Sequence, residues 1–263
     1  MPLLNLIASL PWYDLPASQN ALDLFWHRLR AELERQSVSG LPQQLNRELT
    51  PQQLWQRPEL LLSQCCGPDL FTEQAAGLEP IARPVFRDLA CTPGSYFSHI
   101  VTTRSAPVIK HPRLVVNAPS SRSGCLALLE WLDEQGIDVE AEPPLISGSH
   151  QQSLQYLREG RADLAAIDAH SWGLLDHHDL TVIGRSREAE APPFVRHRHN
   201  PIPTAVLYAA LEKTVQVLGS SIGISELIET DIEVYRGMEG DSSCLSACAH
   251  TGPAEQSQLR TVA

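Results

Sequence analysis

The chain has 263 residues, of which 43% are hydrophobic and 19% charged, and its mean hydropathy is −0.16. This ordinary globular composition excludes a chain that is disordered throughout, and a length of about 1.75 average domains predicts one large domain or two small lobes. The net charge of −11, from 20 basic and 31 acidic residues, excludes a broadly basic surface for nucleic acid or anionic membranes.

Predicted strands and helices alternate along the chain. Short apolar runs predict buried strands, and apolar residues three or four positions apart predict amphipathic helices. Ser18 and Thr50 are predicted N-caps, while Gly136 and Gly160 are predicted to end their helices. In order, we predict a strand at 3–9, a helix at 16–36, a short helix from Thr50 through Trp55, strands at 60–63 and 81–86, an extended segment at 96–103, a strand at 114–117, helices at 123–135 and 149–159, strands at 163–167 and 180–183, and a helix at 203–218.

Two breaks in this pattern, near residues 92–104 and 187–194, divide the chain. The alternation predicts an α/β fold in which a parallel-type sheet is flanked by crossover helices. Two crossings between lobes would leave a cleft that can close by hinge motion. The predicted organisation is an outer lobe of residues 1–104 and 187–240, an inserted inner lobe of residues 105–186, and a disordered tail of residues 241–263.

Two predicted helix starts carry small and hydroxyl-bearing residues: NAPSSRSG at 117–124 and ISGSHQ at 146–151. The N-terminus of a helix offers backbone N–H groups and the positive end of the dipole, so both starts favour an oxyanion. Serines that only cap their helices are the alternative interpretation of this pattern. The candidate anion-binding residues are Ser121, Arg122, Ser123, Gly124 and His150.

Asp168 follows the predicted strand at 163–167. Ligands of α/β sheets bind outside the carboxyl ends of strands, so Asp168 is a candidate ligand-binding residue. The alternative is that it caps a helix beginning near His170.

No catalytic or cofactor motif is found in the sequence, and we predict no cofactor and no metal. The histidine pairs at 177–178 and 197–199 have no accompanying ligand cluster, and Cys244 with Cys248 has no second cysteine pair.

Six segments, in this order, resemble the phosphate/phosphonate-type substrate-binding proteins of ABC importers. The resemblance covers roughly residues 5–195 and implies a two-lobed type II periplasmic-binding-protein fold, each lobe a mixed, mostly parallel sheet flanked by helices. The segments are ASLPWYD at 8–14, LLLSQCCG at 60–67, GSYFS at 94–98, SRSG at 121–124, GSH at 148–150 and GRADLAAID at 160–168.

The resemblance implies that Ser121, Ser123 and His150 hold the anionic head of a ligand. Tyr13 and Tyr96 match aromatic residues of the family, and we expect them to wall the organic part of the ligand. Asp168 matches an acidic residue of the cleft that can pair with a ligand amine.

The implied function is to bind a small oxyanion-bearing solute, phosphonate or phosphate-like, in the cleft between the lobes. The implied partners are this solute and an ABC permease, with neither nucleic acid nor membrane insertion. Two departures from the family are Arg122, where a small or hydroxyl residue is common, and APPF at 191–194, which has no glycine.

The compartment is predicted differently by two features. The apolar start has no basic residue before it, which predicts no secretory signal and a cytoplasmic protein, whereas the family's usual role implies the periplasm. Two alternatives therefore stay open: a cytoplasmic enzyme on the same fold, like those of menaquinone or thiamin-pyrimidine synthesis, or a ligand-sensing regulatory protein. Export would allow a disulfide between Cys66 and Cys91, and two buried thiols are the alternative.

Overall fold

The computed structural model describes residues 5–103, 111–137 and 143–239. The described residues form two compact units. Unit 1 contains residues 5–97, 168–176 and 188–239, and unit 2 contains residues 98–103, 111–137, 143–167 and 177–187. The predicted inner lobe ran without interruption, whereas here Asp168–Asp176 packs with unit 1. The predicted lobe boundaries stay predictions, and the predicted tail lies outside the described residues.

The strands and helices have the following bounds. The strands are β1 (Ile7–Ala8), β2 (Leu60–Gln64), β3 (Leu78–Phe86), β4 (Ser95–Tyr96), β5 (Ser98–Thr102), β6 (Leu114–Val116), β7 (Leu145–Ile146), β8 (Leu164–Asp168), β9 (Thr181–Arg185), β10 (Ala189–Glu190), β11 (Phe194–His197) and β12 (Ile224–Glu229). The α-helices are α1 (Gln19–Arg35), α2 (Pro51–Trp55), α3 (Ala127–Glu134), α4 (His150–Arg158), α5 (Ala169–Leu174) and α6 (Thr204–Leu218).

The main sheet of unit 1 has the strand order β1-β2-β11-β3-β12. β1 runs parallel to β2, while β11 runs antiparallel to β2 and β3, and β12 antiparallel to β3. The first predicted helix is confirmed as amphipathic. Leu22, Phe25, Leu29 and Leu33 of α1 are all buried in one core cluster with residues of the sheet and of α6.

The sheet of unit 2 has the strand order β7-β6-β8-β5-β9. β6 runs parallel to β7 and β8, and β5 runs antiparallel to β9. Leu128 and Leu132 of α3 pack in a core cluster with Ile100 and Leu164 of the sheet. Because β6 and β7 are parallel and in register at Val116 and Ile146, their carboxyl ends lie at one edge, and the segment after each strand leads into a helix.

Most predicted elements are confirmed within a few residues, including the capping box at Thr50 and the left-handed glycines Gly136 and Gly160 at helix ends. β11 was not predicted, because its sequence, Phe-Val-Arg-His, mixes apolar and basic residues although all four are buried between β2 and β3. The predicted break near residues 187–194 contains β10, which pairs with β4. No helix in the described ranges is long and apolar enough to cross a membrane.

Candidate functional site

The first predicted helix start is a wide turn that Ser121 organises. Its Oγ accepts a hydrogen bond from the backbone N–H of Gly124 at 3.0 Å. Its carbonyl oxygen accepts from the N–H of Leu126 at 3.1 Å, five residues on, so residues Arg122–Leu126 form one π-helical turn that leads into α3. π-turns of this kind are frequent at functional sites.

The second predicted helix start is connected to the first through the backbone. The N–H of Ser147 donates to the carbonyl of Val116 at 2.8 Å, and the N–H of Gly148 donates to the carbonyl of Asn117 at 2.9 Å. Ser149 then caps α4 by accepting from the N–H of Gln152 at 3.1 Å. These bonds hold the two helix starts at the same edge of the sheet.

One side-chain contact joins the two starts: Ser123 Oγ lies 3.1 Å from His150 Nε2. Desolvation lowers the pKa of His150 to about 4, so the imidazole is neutral at pH 7. A neutral imidazole keeps one N–H donor and one acceptor nitrogen. The structure thus brings together Ser121, Ser123, Gly124 and His150 within unit 2.

Arg122 is placed differently from its neighbours. Its side chain is only 9% exposed, and Nη2 lies 2.7 Å from Oε2 of Glu130. Glu130 is eight residues further on, about 12 Å along a helix, so the Arg122 side chain runs toward the carboxyl end of α3. The carboxylate offsets the charge that the sequence led us to expect at the helix start, and a direct role of Arg122 in anion binding stays a prediction.

Asn117 is a neighbour of this site that the sequence analysis did not single out. Its Oδ1 is buried and accepts no hydrogen bond from the described part of the chain. A Cβ added to Gly124 would lie 1.8 Å from this oxygen. Gly124 is therefore required by the close approach of the Asn117 side chain. Asn117 lies directly after β6, at the carboxyl end of a parallel strand, and this position is the signal that could have identified Asn117 as a candidate.

Tyr13 of unit 1 has an unusual backbone conformation, with φ at +69°. The N–H of Leu15 and the hydroxyl of Ser18 both donate to the Tyr13 carbonyl, which holds the turn. The Tyr13 hydroxyl donates to Oδ2 of Asp168 at 3.0 Å. A left-handed conformation in a bulky residue costs free energy, and such strain concentrates at functional sites.

Asp168 does cap a helix, as one interpretation of the sequence predicted. Oδ1 accepts from the N–H of Ser171 at 2.8 Å at the start of α5, while Oδ2 accepts from Tyr13. The residue is only 3% exposed, and burial raises the pKa of its carboxyl group to about 6. The pKa of the Tyr13 hydroxyl is raised by burial and by the charge of Asp168.

Tyr96, the second predicted aromatic wall, is 2% exposed and lies in an apolar cluster of unit 1 with Trp55 and Leu60. The Tyr13 ring instead makes an edge contact with the ring of His170, with the centroids 4.6 Å apart. His170 in turn stacks on Phe86 at 4.7 Å, and burial lowers its pKa to about 4.

Cys66 and Cys91 are thiols that are not joined to each other, and Cys91 Sγ lies 3.2 Å from the carbonyl of Ser95. In the described ranges, no group of three or more His, Cys, Asp or Glu side chains is arranged to hold a metal ion. Cys244 and Cys248 lie outside these ranges.

The model of the family described as "ABC transporter, phosphonate, periplasmic substrate-binding protein" matches residues 70–235. The chain belongs to this family. No curated protein sequence matches it significantly.

Solved structures are similar to the chain over nearly its whole length. A binding protein component of an ABC phosphonate transporter from Pseudomonas aeruginosa has a TM-score of 0.67 at 16% identity, covering 96% of this chain and 91% of that one. PhnD1 from Prochlorococcus marinus, in complex with methylphosphonate, has a TM-score of 0.67 at 18% identity, covering 92% and 98%. The protein XAC2383 from Xanthomonas citri bound to ATP has a TM-score of 0.61 at 12% identity, covering 94% and 99%. At these identities the likeness shows the fold, the type II periplasmic-binding-protein fold that the resemblance implied.

Proposed function

We propose that this chain is the solute-binding component of an ABC importer and that unit 2 binds the anionic head of a phosphonate or phosphate-like solute. Family membership supports the transport role. The main support for the site in unit 2 is the contact between Ser123 Oγ and His150 Nε2, because it brings the polar side chains of two helix starts together.

Anion binding in unit 2 would depend on groups at one edge of its sheet rather than on the net charge of the chain. The first turns of the helices after β6 and β7 present N–H groups at the same sheet edge, and the positive ends of both dipoles favour an anion there. The serine hydroxyl and the neutral imidazole add donors to these N–H groups. Hydrogen bonds to a charged group contribute about 1.5–3 kcal/mol each, so a few of them are enough for micromolar binding.

Tyr13, Tyr96 and Asp168 of unit 1 are proposed to bind the organic part of the solute. The strained Tyr13 backbone and its bond to Asp168 support a role for this pair. Asp168 is buried without an ion-pair partner among the described residues, so a ligand amine would supply the countercharge. That both groups of residues serve one ligand stays a prediction.

Solute binding is favoured over catalysis at the Ser123–His150 pair. In a nucleophilic serine site, a third group, usually a carboxylate, orients the histidine through its second nitrogen. No carboxylate of the described residues hydrogen-bonds to Nδ1 of His150. The proposed role also places the protein in the periplasm, where a permease would be its partner, as the family description implies.

Calorimetric titration of the purified chain tests the proposal. The titrants are methylphosphonate, phosphate, phosphite, sulfate and methanesulfonate. We expect at least one phosphorus oxyanion to bind with micromolar affinity, and His150→Ala and Ser123→Ala each to weaken binding about tenfold or more.

His27→Ala and Ser225→Ala are matched controls, since both side chains are exposed and lie in unit 1. Both should bind as the unaltered protein does. The proposal is wrong if no phosphorus oxyanion binds, and the site assignment is wrong if His150→Ala and Ser123→Ala leave the affinity unchanged.

A further inference from the structure

Unit 1 contains a cavity of about 200 Å³ that the anion site of unit 2 does not use. Buried apolar side chains, including Leu10, Leu22 and Phe194, are among the residues that line it. Trp12, Tyr13 and the exposed Asp88 also line it. A cavity on the order of 150 Å³ accommodates benzene, so this one has room for an aromatic ring with a short substituent.

His170 lies at the centre of one group of residues that line the cavity. Tyr13, with φ at +69°, and Gly223, with φ at +72°, both line the cavity and both contact the His170 ring. A Cβ on Gly223 would lie 2.1 Å from Cε1 of His170, so only glycine fits there. The left-handed conformation of Tyr13 costs free energy, and such strain is typical of a functional surface.

The charge of this lining is negative. Tyr13 remains protonated because its pKa is raised, and His170 is neutral above about pH 4. Asp88 is thus the one formally charged side chain at neutral pH among the described residues that line the cavity. Its negative charge opposes, but does not outweigh, the lowering of the His170 pKa by desolvation. Ser18, at the start of α1, also lines it. A helix N-terminus contributes about half a positive charge, which is less than the full negative charge of Asp88.

We propose that this cavity binds a small organic cation, with an ammonium head beside Asp88 and an apolar body the size of a benzene ring against Leu10, Leu22 and Phe194. Aromatic lining residues such as Trp12 and Tyr13 favour a cation, because the faces of their rings are electronegative. Such a ligand needs no oxyanion, so its binding does not require the proposed anion site of unit 2, although Tyr13 is assigned to both ligands.

Ligand-observed NMR titration tests the proposal with benzylamine, and with benzyl alcohol as its neutral counterpart of nearly equal size. We expect benzylamine to bind with a Kd on the order of 1 mM, as is typical of a ligand of eight heavy atoms, and benzyl alcohol at least about fivefold more weakly. Asp88→Asn should remove this preference, and Asp88→Lys should abolish benzylamine binding.

Asp133→Asn is the matched control, since it removes the same charge from an exposed position of α3 in unit 2. Ser123→Ala should also leave benzylamine binding unchanged. The proposal is overturned if benzylamine does not bind, if the alcohol binds equally well, or if Asp88→Asn has no more effect than Asp133→Asn. A parallel methylphosphonate titration keeps the two proposals separate: its failure contradicts the phosphonate site alone.

Discussion

Gly124→Ala is the substitution whose effect on the anion site can be worked out most directly. The added Cβ would lie 1.8 Å from Oδ1 and 2.8 Å from Cγ of Asn117. Ordinary contact begins at about 3.4 Å, so the two groups must separate by about 1.6 Å. Because Asn117 Oδ1 is buried and Gly124 N–H is bonded to Ser121, the separation must distort the turn itself.

The expected magnitudes follow from this distortion. Overpacking of this kind costs about 1–3 kcal/mol. At about 2–4 °C per kcal/mol for a chain of this size, a loss of 2 kcal/mol lowers the Tm by about 4–8 °C. If the distortion also removes one hydrogen bond to the bound anion, methylphosphonate affinity falls by about 10- to 100-fold.

The assay is thermal unfolding together with calorimetric titration of methylphosphonate. Gly237→Ala is the control, since an added Cβ there meets nothing within 4 Å. The double variant Gly124→Ala/Asn117→Ala removes the clashing oxygen and should recover most of the lost Tm. Wild-type Tm and affinity in Gly124→Ala, or a double variant no more stable than the single one, would refute the reasoning.

Three further predictions concern neighbouring side chains. Asp168 has a folded-state pKa of about 6 against an ordinary 3.8, so its charged form costs up to about 3 kcal/mol above pH 6, and this cost is lost as the pH falls toward 3.8. Asp168→Asn, which keeps a capping oxygen, should therefore raise the Tm over wild type at pH 8 and by less at pH 5; an equal difference at both pH values contradicts this. Arg122→Gln should weaken methylphosphonate binding by less than about threefold in calorimetry, since the charge of Arg122 is paired with Glu130. A tenfold loss of affinity would instead show that Arg122 binds the anion directly. Gly223→Ala should lower the free energy of unfolding by about 2 kcal/mol or more in urea titration, because it combines a left-handed conformation with the clash against His170.

The fold, and the positions of the candidate residues at the two helix starts, could be predicted because their signals are local. The spacing of Leu22, Phe25 and Leu29 is determined by the helical period, and the segment from Asn117 to Gly124 follows the apolar strand β6 directly. The order of six such segments along the chain then indicated the family and, with it, the fold. His150 could be placed beside Ser123 because both residues follow strands that the fold makes neighbours and parallel.

The other features could not be predicted because they depend on residues far apart in the chain. Arg122 looked like a charge for the ligand, but Glu130 neutralises it along the helix. Tyr13 and Asp168 are 155 positions apart, and no pattern indicated that they share a hydrogen bond. β11 is buried despite Arg196 because that guanidinium donates to backbone carbonyls, including that of His197 at 3.3 Å.

An acidic protein can bind an anion through local dipoles, without a positive net charge. The net charge of −11 determines the long-range field, and at the proposed anion site the charge of Arg122 is offset by Glu130 while His150 is neutral. The described groups that remain for the ligand are hydroxyls, a neutral imidazole and backbone N–H groups at two helix starts. Such dipoles have fixed directions, so they favour an oxyanion whose oxygens match their geometry over one that merely carries more charge. If the proposed function holds, selectivity among phosphonate, phosphate and sulfate should therefore depend on the geometry of the turn where Asn117 closely approaches Gly124, rather than on the charge of the chain.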